Sequence, residues 1–146
     1  MADLRTGKEK PECKTGRVFC KDAFLHLFDM EVKRARRYQH FLYILLFSIE
    51  PVSEEFRNSF QVQYERLSTV VTEEMRETDL FGILEENQLA IVLPYADETS
   101  GNQAKTRLER TIKYCDFETR GHQVTINRFS FPVNGTSTQD IFKNIY

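Results

Sequence analysis

The side chains with the widest chemical reach in this 146-residue chain are three cysteines, three histidines and one run of cations. Cys13, Cys20 and Cys115 are odd in number and form no CxxC pair, which argues against a disulfide framework and against a zinc site. They read as reduced thiols of a cytoplasmic chain. His26, His40 and His122 have no ligand-spaced partner and read as surface or boundary residues. Lys33, Arg34, Arg36 and Arg37 crowd the end of an amphipathic stretch, where cations favour the helix dipole. Two uses fit them, a nucleotide-binding patch and a solvated helix face, and the second is the more ordinary. No cofactor and no metal are expected.

The bulk properties are those of one ordinary globular domain. Hydrophobic residues make up 40% and charged residues 29%, ordinary for a soluble globular protein. A net charge of −2 gives a general nucleic-acid-binding role no support. The longest apolar run, residues 41–49, is too short to span a bilayer. Residues 1–14 are polar, lack the apolar centre of a signal peptide and read as a disordered lead-in, which leaves one domain over residues 15–146. Neither nucleic acid nor membrane is an expected partner.

The elements that must position any site follow from periodicity. Asp22 can cap a helix reaching about Gln39, with Phe24, Leu27, Phe28 and Val32 on its apolar side. Residues 41–49 (FLYILLFSI) are almost wholly apolar and read as a strand buried on both faces. Ser53 can cap a second helix to about Glu77, with Phe56, Phe60, Tyr64, Leu67 and Val71 as its stripe. Residues 80–84 and 89–93 flank a polar four-residue turn, a β-hairpin pattern. A third helix over about 100–114, a strand over 123–131, a turn at Asn134-Gly135 and a short helix over 138–146 complete the order α-β-α-β-β-α-β-α. That order predicts an α+β fold, a ferredoxin-like mixed sheet of four or five strands flanked by helices. Phe24, Leu45, Phe47, Phe60, Leu67, Ile91 and Leu93 are its expected core.

The hairpin carries a resemblance. From Arg76 the chain reads RETDLFGILEENQLAIVLPYAD. This is similar to the stretch of the GGDEF (diguanylate cyclase) family in which an RxxD motif, five residues, the five-residue signature and an apolar strand ending in Leu-Pro follow one another. EVKRARRY, YILLFSIEP, AKTRLER and VTINRFSFPVNGTSTQDIF resemble the family's other segments in the right order, so the likeness covers about residues 15–146. It implies a nucleotide-cyclase-like fold in a bacterial signalling protein.

The same resemblance implies that the chemistry is lost. The family joins two GTP molecules with carboxylate-held metal ions and a glycine turn that approaches the phosphates. Here Glu85 and Glu86 stand at the glycine positions, adding bulk and negative charge. Asn87 or Gln88 stands for the catalytic acid, and neither is a hard anionic ligand. Ser48 replaces the first-strand metal aspartate, leaving Glu50 as a lone carboxylate nearby. The expectation is a domain that is no enzyme.

What survives is the family's inhibitory-type site for cyclic di-GMP, formed by RxxD and an arginine of the next helix. Counting without a gap from Pro94 reaches Arg107, so Arg76, Asp79 and Arg107 are all present, with Arg110 as a helper. An arginine fork can pair with phosphate or with the guanine O6/N7 edge, and Asp79 can accept from guanine N1 and N2. The competing role of Asp79 is to orient the helix-to-strand turn. Three functions remain in view: a cyclic di-GMP receptor, a nucleotide-independent protein-interaction or dimerisation module, and a GTP-binding, non-hydrolysing sensor at the remnant active site, against which Glu85 and Glu86 argue.

Overall fold

The computed structural model describes residues 18–132. The expectations for residues 1–14, Cys13, the Asn134-Gly135 turn and a helix over 138–146 lie outside them.

The run at residues 41–49 forms the middle of the sheet. Strand β2, Leu42–Pro51, pairs antiparallel with β4, Gln88–Pro94, on one side and with β5, His122–Phe131, on the other. Because side chains alternate across a strand, a central strand covered on both faces must be apolar at every position. Tyr43, Leu45, Phe47 and Ile49 enter one layer and Leu42, Ile44 and Leu46 the other, all buried. Phe41, just before the strand, is exposed.

Strand β3, Leu80–Glu85, forms a hairpin with β4, and β1, Val18–Phe19, lies parallel to β3. The five strands stand in the order β1-β3-β4-β2-β5. The described residues therefore open on a short strand that periodicity did not reveal, since two residues carry no period.

Helix α1, Lys21–Tyr38, covers one face through Phe24, Phe28, Val32 and Ala35. Helix α2, Phe60–Glu74, and helix α3, Glu98–Cys115, cover the other through Leu67, Val71, Leu108 and Ile112. Each such buried side chain larger than Ala35 contributes about 1.5–3 kcal/mol. Of the expected core, Phe60 is only partly buried and the rest are inside.

The helix starts differ from expectation. Cys20, not Asp22, occupies the N-cap of α1, without a side-chain cap, and Asp22 sits in the first turn. Ser53 precedes a 3-10 segment, Glu54–Ser59, rather than α2. Phe56 anchors that segment: a Cβ on Gly121 would meet its ring at 2.2 Å, and Val52 N–H donates to the Gly121 carbonyl at 2.8 Å. For α3 the cap is Asp97, whose carboxylate accepts from the Ser100 N–H at 2.9 Å. On α1, Lys33 pairs with Asp29 and Arg34 with Glu31, so half of the basic run belongs to a solvated, internally paired helix face. No helix among the described residues is long and apolar enough to cross a membrane.

Candidate functional site

Two surface regions contain the residues singled out by the sequence. The first lies where α2 hands over to β3. Helix α2 ends at Glu74, and Met75 turns extended, so Arg76 stands two residues beyond the helix rather than on it. The Asp79 carboxylate accepts a hydrogen bond from the Arg76 backbone N–H at 2.9 Å, and the Asp79 N–H donates to the Arg76 carbonyl at 3.1 Å. Asp79 is half-buried and Arg76 exposed. One carboxylate oxygen is thereby committed to the turn, a common use of aspartate between elements.

Arg107 approaches from α3. Its Nε donates to the Glu74 carboxylate at 3.0 Å, joining the end of α2 to the face of α3. Arg110, one helical turn on, is exposed and lines an open groove of about 600 Å³ with Arg107, Thr99, Asn102, Gln103 and Thr106. Sequence reasoning missed Glu74, because the pair spans 33 positions and carries no local signal. It also missed Asn102, which receives a hydrogen bond from the buried Tyr43 hydroxyl.

The second region is the hairpin tip beside the end of β2. The turn comprises only Glu86 and Asn87, so Glu85 and Gln88 belong to the strands, with a register shift between Ile83 and Glu85. Lys21 neutralises Glu85 at 3.0 Å. The Ile49 N–H donates to the Asn87 carbonyl at 3.0 Å, and Asn87 Nδ2 reaches Glu50 at a long 3.4 Å. Ser48 stands between Gln88 of β4 and Thr125 of β5. A groove of about 490 Å³ runs past Ile49, Glu50, Pro51, Arg57, Phe60, Glu86 and Asn87. Its carboxylates, Glu50 and Glu86, repel a polyphosphate, and Arg57 is engaged by Glu54 at 2.9 Å. Among the described residues no group of three His, Cys, Asp or Glu is placed to hold a metal ion.

One side chain expected near the surface is deep inside. His122 is fully buried, facing the Phe60 ring at 6.1 Å between centroids. Its Nδ1 lies 3.1 Å from the Arg120 carbonyl, and its Nε2 has no hydrogen-bond partner among the described residues. Gly121, one residue before it, packs against Phe56, a contact that no spacing announces.

This arrangement of strands and helices has close counterparts among solved structures. A DGC protein from Thermotoga maritima superposes with a TM-score of 0.77 at 18% identity, over 88% of this chain and 93% of that one. The chain has the GGDEF-domain fold. The GGDEF domain of YfiN (TpbB) from Pseudomonas aeruginosa matches with a TM-score of 0.70 at 14% identity, covering 86% of this chain and 84% of its own. The GGDEF domain of DgcB from Caulobacter crescentus, solved in complex with cyclic di-GMP, gives 0.71 at 9% identity, covering 94% and 87%. No family model and no curated protein matches the sequence. The GGDEF-like fold is thus shared with structures to which the sequence is only 9–18% identical. In this GGDEF-like domain the hairpin tip bears two glutamates, while the opposite side of the β3–β4 pair leads into the Arg76–Asp79 turn and the arginines of α3.

Proposed function

We propose that this domain is a non-catalytic signalling module that binds cyclic di-GMP on the flank formed by the end of α2 and the exposed face of α3. The observation that carries the reading is the Glu74–Arg107 pair: it holds an arginine of α3 beside the segment that leads into Arg76 and Asp79, with Arg110 one turn further along the same groove. Guanidinium groups exposed to solvent and held by a weak surface partner can exchange that partner for a phosphate or a guanine edge. The hairpin tip supports the non-catalytic half of the reading. Glu86 and Glu50 face the groove where a triphosphate would need cations, and Lys21 is already spent on Glu85.

Isothermal titration with cyclic di-GMP tests the proposal. Binding at micromolar ligand, weakened at least about tenfold in Arg107→Ala, is expected, because one charge-assisted hydrogen bond contributes about 1.5–3 kcal/mol. Folded protein that gives no heat at that concentration rejects the receptor reading. Incubation with GTP and magnesium should yield no cyclic dinucleotide, and turnover that depends on Glu50 rejects the non-catalytic half.

A second reading has its own observation. Tyr38, Phe41 and Tyr95 are all more than half exposed at one end of the sheet, with the Tyr95 ring tilted against His40, 4.1 Å between centroids, and its N–H bonded to the Phe41 carbonyl. An aromatic cluster of this kind suits a protein-interaction or self-association surface that needs no nucleotide. Sedimentation of wild type and a Tyr95→Ala variant distinguishes it: a dimer lost in Tyr95→Ala and kept in Arg76→Ala favours this use.

A further inference from the structure

The face of α3 that carries Arg107 and Arg110 continues toward the helix start through Thr106, Gln103, Asn102 and Thr99. These positions are three and four apart and form one stripe. All six are arginine, amide or hydroxyl residues, and no carboxylate is among them. A rise of about 1.5 Å per residue puts Asn102 about 12 Å from Arg110 along the axis, more than a single phosphate occupies.

Asn102 is not a loose surface amide. The Tyr43 hydroxyl donates to its Oδ1 at 2.5 Å. Tyr43 is fully buried on β2, and Gly101 brings the helix so close that a Cβ there would meet the tyrosine ring at 2.0 Å. Helix, ring and amide are therefore held together. Burial raises the tyrosine pKa, so the phenol remains a donor. With its oxygen bonded to the buried Tyr43 hydroxyl, Asn102, which lines the groove, keeps its two N–H donors for a ligand.

We infer that Asn102, oriented by Tyr43, is the base-selecting residue of the cyclic di-GMP site, and this rests on the receptor reading above. An asparagine pairs with adenine by accepting from N6–H₂ while donating to N7. The Tyr43 hydroxyl takes one of the two lone pairs of that oxygen and ties it to the sheet, so the amide presents its donors more readily than its acceptor. The donors that remain fit the guanine O6/N7 edge, where both atoms accept. Arg107 and Arg110 then serve the phosphates, and Asn102 sets guanine above adenine.

The experiment is titration of the full chain with cyclic di-GMP and with cyclic di-AMP, for wild type, Tyr43→Phe, Asn102→Ala and Arg107→Ala, with a melt for each. Wild type should prefer the guanine dinucleotide by about tenfold or more, the discrimination expected of one well-oriented base contact. Tyr43→Phe frees the amide to rotate and should narrow that preference while the fold is retained. Asn102→Ala should weaken cyclic di-GMP more than cyclic di-AMP. If Arg107→Ala abolishes binding while Asn102→Ala and Tyr43→Phe both keep the wild-type preference, Asn102 does not select the base and the receptor reading stands. If wild type binds neither dinucleotide, both fall.

Discussion

The Asp79 carboxylate closes a reciprocal turn on Arg76, accepting from its N–H at 2.9 Å while the Asp79 N–H returns a bond to the Arg76 carbonyl at 3.1 Å. The two residues of the RxxD motif are thus joined through backbone, not only through their charges. Their substitutions should separate. Asp79→Ala leaves the Arg76 N–H without this side-chain acceptor and should cost about 0.5–2 kcal/mol, the range for losing a comparable cap. Arg76→Ala keeps the N–H and should leave the denaturation midpoint nearly unchanged. Equal midpoints for Asp79→Ala and wild type in urea would remove the turn-closing role.

The Glu74–Arg107 pair predicts a gain of function. Its side chains are 29% and 44% exposed, so its net contribution to stability is about 0–1 kcal/mol. Glu74→Gln should melt close to wild type and bind cyclic di-GMP more tightly, because the ligand no longer displaces a resident carboxylate. Unchanged or weaker affinity in calorimetry would mean that Glu74 does not compete for Arg107.

Packing makes a sharper demand at Gly101. A methyl group there would lie 2.0 Å from the Tyr43 ring, which is fully buried and cannot swing out. Gly101→Ala should force α3 off the sheet locally and cost about 1–3 kcal/mol, as overpacking does. A melting temperature equal to wild type would show that α3 is free to shift.

Alkaline stability should depend on Tyr64. Burial pushes its pKa up to about 12 from 10.0. The unfolded chain loses the phenolic proton first, so the contribution is intact below the ordinary tyrosine pKa and is lost as pH rises from 10 toward 12. Tyr64→Phe cannot ionise and should flatten the fall in stability across that window. An unaltered pH profile of urea midpoints would place the alkaline transition elsewhere.

The sequence by itself determined the elements whose pattern is local. Residues 41–49 had to form a strand covered on both faces, because no position alternates to polar before Ser48, and the structure buries all but the flanking Phe41 and Ser48. The stripe Phe60, Tyr64, Leu67 and Val71 and the hairpin around Glu86-Asn87 were legible for the same reason, since each period repeats within a few residues. Arg76, Asp79, Arg107 and Arg110 could be named through the resemblance to the GGDEF family's RxxD stretch and the count from Pro94.

Only the tertiary structure decided what those residues touch. Strand β1 exists through its parallel pairing with β3, residues 63 positions away, as in Val18 opposite Phe81. The Glu74–Arg107 and Tyr43–Asn102 bonds cross 33 and 59 positions. His122 is buried facing Phe60, 62 positions away along the chain. A side chain's type limits what it can bond, but its partner is set by which elements the sheet brings together. Periodicity along one segment contains no information about that meeting.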